Sequence, residues 1–90
     1  MIMNASNADL AARLTRAIQS YNAGLLSLAD IHSALQSAIP LFENDGSGVA
    51  DYVRLAEADL EEIQFTLLKD EQGPAAIFRL DKLQRNLLGE

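Results

Sequence analysis

The sequence predicts an all-α fold, a small antiparallel bundle of four helices. Three observations carry that expectation. Apolar residues recur every three to four positions in four separate segments, the period of a helix with one buried face. Cap and breaker residues punctuate those segments. No stretch sustains the alternation of apolar and polar residues that a half-buried strand needs. Short connections favour an up-and-down arrangement in one domain spanning residues 1–90. The runner-up is a three-helix core with the fourth helix docked on it or swapped to a second copy.

The first segment runs from about Asn7 to Ala23. Leu10, Ala11, Leu14, Ala17, Ile18 and Tyr21 share one face. Ser6 followed by Asp9 reads as a capping box with Asp in place of Glu. Asn22-Ala23-Gly24 is the stop, with Gly24 free to take the left-handed conformation. The second segment opens on Ser27 as N-cap with Asp30 three residues on. Leu28, Ile31, Leu35, Ala38, Ile39 and Phe42 form its stripe, and Leu25 is expected to pack back as a staple. Pro40 lacks an amide donor and clashes with the preceding turn, so a kink or break is expected there.

Glu43 to Gly48 is the strongest loop signal in the chain. The third segment, about Val49 to Leu68, is expected to be the longest helix. Val49, Tyr52, Val53, Ala56, Leu60, Ile63 and Leu67 form its core stripe. Lys69 to Gly73 reads as a polar loop, with Pro74 at the first position of a fourth helix reaching about Leu88. Ala76, Ile77, Leu80, Leu83 and Leu87 are expected to face inward, with Phe78 pointing away beside Lys82 and Arg85. Asp81 and Arg85 are spaced to pair weakly.

Composition bounds the function. Hydrophobic residues make up 49% of the 90, more than a disordered chain carries. A chain this short buries only about 60–65% of its unfolded surface, so one core layer is expected. Thirteen acids against seven basic residues leave a net charge of −6. Phosphates would repel such a chain, so nucleic acid and anionic membranes are not expected partners. A basic protein would be attracted and steered. The bland alternative is that the acidity serves solubility alone. No cysteine is present, which removes disulfides, thiolate catalysis and Cys-based zinc sites. No secretory signal is visible at Met1 to Asp9 and no apolar run reaches the roughly 20 residues of a membrane span, so a cytoplasmic location is expected.

The groups that could do chemistry are sparse. His32, the lone histidine, lies at the edge of its stripe near Asp30 and Gln36 and reads as a boundary residue. Glu57 and Glu61 are four apart, but no Glu-x-x-His accompanies them, so a solvated acidic ridge is expected rather than a metal site. The loop from Glu43 mimics a calcium loop, with Glu43, Asp45, Ser47 and Gly48 at its first ligand and turn positions and Asp51 at its ninth. Arg54 then stands where the bidentate acid belongs, so neither metal nor other cofactor is expected. Gly46-Ser47-Gly48 lacks the lysine of a phosphate loop. No catalysis is expected of this chain.

The third helix is two-sided. Leu55, Ala58 and Phe65 lie on its back, with Asp51, Glu57, Asp59, Glu61 and Glu62 around them. Two readings stand open. Leu55 and Phe65 pack internally against the fourth helix or Phe78. Alternatively they are exposed anchors in a charged rim for a partner. The expected partner-binding set is Asp51, Leu55, Glu57, Asp59, Glu61, Glu62 and Phe65.

The junction from Tyr21 to Ile31 has Tyr, Gly24, Ser27 and Ile31 in the order Y-x-x-G-x-x-S-x-x-x-[FIL]. It resembles the junction between the first two helices of several bacterial toxin-immunity families, which are also small, acidic and helical. That resemblance implies a stoichiometric inhibitor of a basic toxin domain, its acids occupying a site meant for phosphates. The chain has no Trp and no Tyr-Tyr pair, both marks of the colicin-nuclease immunity family, so no binding residue is carried over from that family. The alternative function is a self-associating structural or adaptor subunit, with Leu55, Phe65 and Phe78 in a homomeric interface.

Overall fold

A computed structural model describes residues 2–89. Four helices follow one another: α1 (Ala5–Asn22), α2 (Leu28–Ala38), α3 (Val49–Thr66) and α4 (Lys69–Leu87). A short 3-10 turn, Ile39–Leu41, follows α2. No strand occurs among the described residues. Each helix packs on its two neighbours in a closed ring, α1 on α2, α2 on α3, α3 on α4 and α4 on α1. The α3–α4 interface is the most extensive.

The four predicted stripes meet in one core. Ile18, Ile31, Leu35, Val53, Leu60, Leu80 and Leu83 have essentially no exposed surface. Each such side chain gains about 1.5–3 kcal/mol by leaving water. Since α4 supplies Ala76, Leu80, Leu83 and Leu87 to the same cluster, it belongs to the core and is not an appendage. Tyr52 and Ile77 depart from expectation. They sit at the stripe edges, 42% and 48% exposed, because four residues each of α3 and α4 already fill the centre.

Helix boundaries differ from the sequence reading at two starts. Asn4, not Ser6, caps α1, and its Oδ1 accepts the Asn7 N–H at 2.8 Å. For α2, Ser27 and Asp30 form the expected reciprocal box, at 3.0 and 3.1 Å. Leu25 does not staple it, being 77% exposed, while Leu26 in the position just before the cap is half-buried. Pro40 ends α2 as expected: the regular helix stops at Ala38 and the chain tightens into the 3-10 turn. Gly48 caps α3 in the left-handed conformation, with φ of 76°.

The larger correction concerns α4. Lys69 to Gly73 is not a loop but the first turn of the helix, and Pro74 is inside it. That makes α4, at 19 residues, longer than α3 at 18. Glu71 accounts for the early start. Its carboxylate accepts the Leu68 N–H at 3.2 Å, while the Leu68 carbonyl accepts from the Glu71 and Gln72 amides. Gln72 also reaches back to the Leu67 carbonyl at 3.1 Å. Proline normally drives the preceding residue out of helical geometry, because its Cδ meets that residue's Cβ. Gly73 has no Cβ, so that clash is absent, and the helix runs through Pro74 with only the bond of its missing amide lost.

The loop between the 3-10 turn and α3 is tied to the start of α1. Asn7 is fully buried and grips Glu43 at both backbone atoms: its Oδ1 accepts the Glu43 N–H and its Nδ2 donates to the Glu43 carbonyl, each at 2.8 Å. Asp45 accepts from the Asn4 N–H at 2.8 Å and from the Ser47 amide and hydroxyl at 2.9 and 2.6 Å. The Glu43 carboxylate accepts from Asn4 Nδ2. These bonds give the calcium-like acids a structural occupation within the loop.

Two predictions follow from these starts. Gly73→Ala is expected to destabilise the protein on its own, yet to stabilise it by about 0.5–1 kcal/mol when Pro74 is already Ala, as read by urea unfolding of the four-member cycle. Donation by Ser47, and then by the Asn4 amide, holds Asp45 well below the usual carboxylate value. A depressed folded-state value means the unfolded chain takes up the proton first, so stability falls as pH drops below about 3.8. Acid unfolding of Asp45→Asn is expected to be less steep below that pH than that of wild type. Equal slopes would sink this account.

Candidate functional site

Charge is not spread evenly over the bundle. α3 carries Asp51, Glu57, Asp59, Glu61 and Glu62 against Arg54 alone. α4 carries four cations and three acids. The negative surface of the molecule is therefore largely that of α3 and of the loop before it.

Of the seven residues expected to bind a partner, the structure gathers four on one line. Asp51, Leu55, Glu62 and Phe65 are all exposed along the side of α3 that faces away from the core, with Ala58 between them. Leu55 is 61% exposed and Phe65 82%. The internal packing of these two against α4 is thereby overturned: α3 buries one face, and Val49, Val53, Ala56 and Leu60 already supply it. Phe78, on α4, is likewise 78% exposed. It lines a shallow groove of about 340 Å³ with Ile63, Thr66, Leu67 and Glu62. Large apolar side chains left in water on one side are what a binding surface offers.

Glu61 is exposed at the flank of this line, beside a hollow of about 220 Å³ that it shares with His32, Gln64 and Phe65. Glu57 and Asp59 are not free ridge acids. Both are half-buried at the edges of the core face. Asp59 pairs with Arg79 of α4 and so bridges the two helices. Glu57 pairs with His32 of α2 at 3.2 Å. Asp51 keeps an exposed pair with Arg54 at 3.0 Å, of a kind worth about 0–1 kcal/mol.

The His32 contact was not foreseen, and Gln64 completes it. Gln64 Nε2 donates to the Leu60 carbonyl at 3.0 Å and lies 3.0 Å from His32 Nδ1. A carbonyl only accepts, so the nitrogen of the Gln64 amide must face that way. His32 Nδ1 then accepts, and Nε2 carries the proton that it donates to Glu57. One signal for this pairing lay in the sequence. Glu57 and Gln64 are seven apart and border the same edge of the α3 stripe, where a polar group on α2 would be met.

What the arrangement can do chemically is limited. The histidine is held between two side chains of α3, with its own ring nitrogens occupied. No group of three or more His, Cys, Asp or Glu residues suited to a metal ion occurs among the described residues. Among the described residues, no helix is long and apolar enough to cross a membrane. No protein-family model, curated protein or solved structure matches the chain.

In the neutral ring, His32 is expected to be the Nε2–H tautomer in long-range proton–nitrogen spectra. An Nδ1–H ring would show the Gln64 bond to be misassigned. Replacing Gln64 with Leu should loosen that preference without unfolding the bundle.

Proposed function

We propose that this chain is a protein-binding module that presents the outward side of α3 to a basic partner, in the manner of an immunity protein neutralising a toxin domain. The observation that carries the proposal is the exposure of Leu55 and Phe65, 61% and 82%, on the most acidic helix of the molecule. Apolar anchors with a charged rim give a contact both its energy and its register. The acids Asp51, Glu61 and Glu62 steer the encounter and sit where a nuclease-like partner would hold phosphates. Glu57 and Asp59 act one step back, by holding α2 and α4 against α3. The junction from Tyr21 to Ile31 supports the immunity form of this reading by resemblance.

The experiment is capture from the native host with wild type and with Leu55→Asp and Phe65→Asp variants. Both side chains are exposed, so each change is expected to alter stability by no more than about 0.5 kcal/mol. A basic protein retained by wild type, released as salt is raised and lost from both variants is the expected outcome. The captured domain should arrest growth when expressed alone and fail to do so with this chain. An acidic partner, or retention unchanged by both variants, would refute the proposal.

A further inference from the structure

The outward side of α3 repeats the rhythm of its inward side. Inward, Val49, Val53, Ala56, Leu60 and Ile63 advance in alternating steps of four and three residues. Outward, Asp51, Leu55, Ala58, Glu62 and Phe65 advance in the same steps. All five outward residues are exposed, whereas the inward line faces α2 and α4. Any helix carries such lines, but apolar residues on one make it a seam that receives another helix, and here Leu55, Ala58 and Phe65 are apolar and exposed. Only the inward seam of α3 has its helices.

We infer that the outward seam receives a basic amphipathic helix of the partner, laid along α3, with apolar side chains against Leu55, Ala58 and Phe65 and Lys or Arg against Asp51 and Glu62. The inference rests on the protein-binding reading above and names the element that is bound. The seam spans fifteen residues from Asp51 to Phe65, about 21 Å or four turns of a facing helix. Ala58 at its middle lets a second backbone come close. Phe78 and the groove beside Glu62 and Thr66 form a wall on the α4 side. The Arg54 contact to Asp51 is exposed on both members and yields readily to a cation from the partner.

Charge selects a basic helix over a second copy of this chain. Two α3 seams laid antiparallel about Ala58 would set Leu55 against Glu62 and Phe65 near Asp51. Laid parallel, they would stack Asp51 on Asp51 and Glu62 on Glu62. Either way the exposed acids Asp51, Glu61 and Glu62, with Arg54 alone against them, meet the same set again. Like charges facing each other at a seam are how helices reject a partner.

The probe is a synthetic helical peptide of eighteen residues with Leu and Ala at 4-3 spacing and Lys where Asp51 and Glu62 would be met. Its control has the same composition with the spacing broken. The patterned peptide is expected to bind at least about tenfold tighter than the control, with NMR shifts confined to the outward residues of α3 and to Phe78. Phe65→Asp should cost a similar factor. Equal binding of the two peptides, or shifts elsewhere, overturns the inference. A photo-crosslinker at Ala58 is then used with the captured partner. Crosslinks on partner residues three and four apart support a helix. Crosslinks on a strand or loop overturn the helix while leaving the partner reading intact. Dimerisation of the chain that Phe65→Asp abolishes would overturn it in favour of the second copy.

Discussion

The structure depends on the single core that the four helices share. Ile18, Ile31, Leu35, Val53, Leu60, Leu80 and Leu83 come from all four of them, and none is exposed. Helices of three to five turns draw most of their stability in a protein from packing an apolar face, so each is held by this burial rather than by its own propensity. The same constraint decides what is left outside. Once Val49, Val53, Ala56 and Leu60 are committed inward, residues half a turn away have no route to the core. The exposure of Leu55 and Phe65 is thus a geometric result of the core, not a defect of packing.

Polar contacts set the alignment of these helices. Surface pairs such as Arg13 with Asp9 and Arg85 with Asp81 lie within one helix and add little. Among the contacts that reach between elements, three tie different pairs together. Asn7 holds Glu43, His32 meets Glu57, and Arg79 meets Asp59. The Asn7 contact is the only one with a fully buried side chain, and both ends of its amide are used. Losing one partner there would strand a buried polar group, which costs more than the bond itself is worth.

Periodicity made the number of helices, their type and most of their core legible in the sequence. Ser27, Gly24, Pro40 and the Gly46–Gly48 loop are legible because each acts on backbone within a few residues of itself. The start of α4 is not legible from Pro74 alone, because Gly73 before it removes the Cβ clash and Glu71 caps a turn earlier in the chain. Of the surface, the exposed line on α3 was visible as a pattern, but whether it faced water was not. That answer depends on how far α4 covers α3, a property of the packed whole. Glu57 and Asp59 were read as free acids for the same reason, since His32 and Arg79 are far from them in the chain.

Met3 and Leu88 line the same shallow groove between α1 and α4. The two ends of the described chain therefore emerge side by side, and the ring of helices has no privileged opening. Its connectivity can be re-cut. A short linker joining the ends, with a new break at the exposed turn around Ala23 and Gly24, keeps every helix beside its present neighbours. The clamped stretch around Glu43 and Asp45 is the wrong place for that break, because there the backbone itself is bonded to α1. Tolerance to circular permutation is thus unequal around the ring, set by where the main chain is tied.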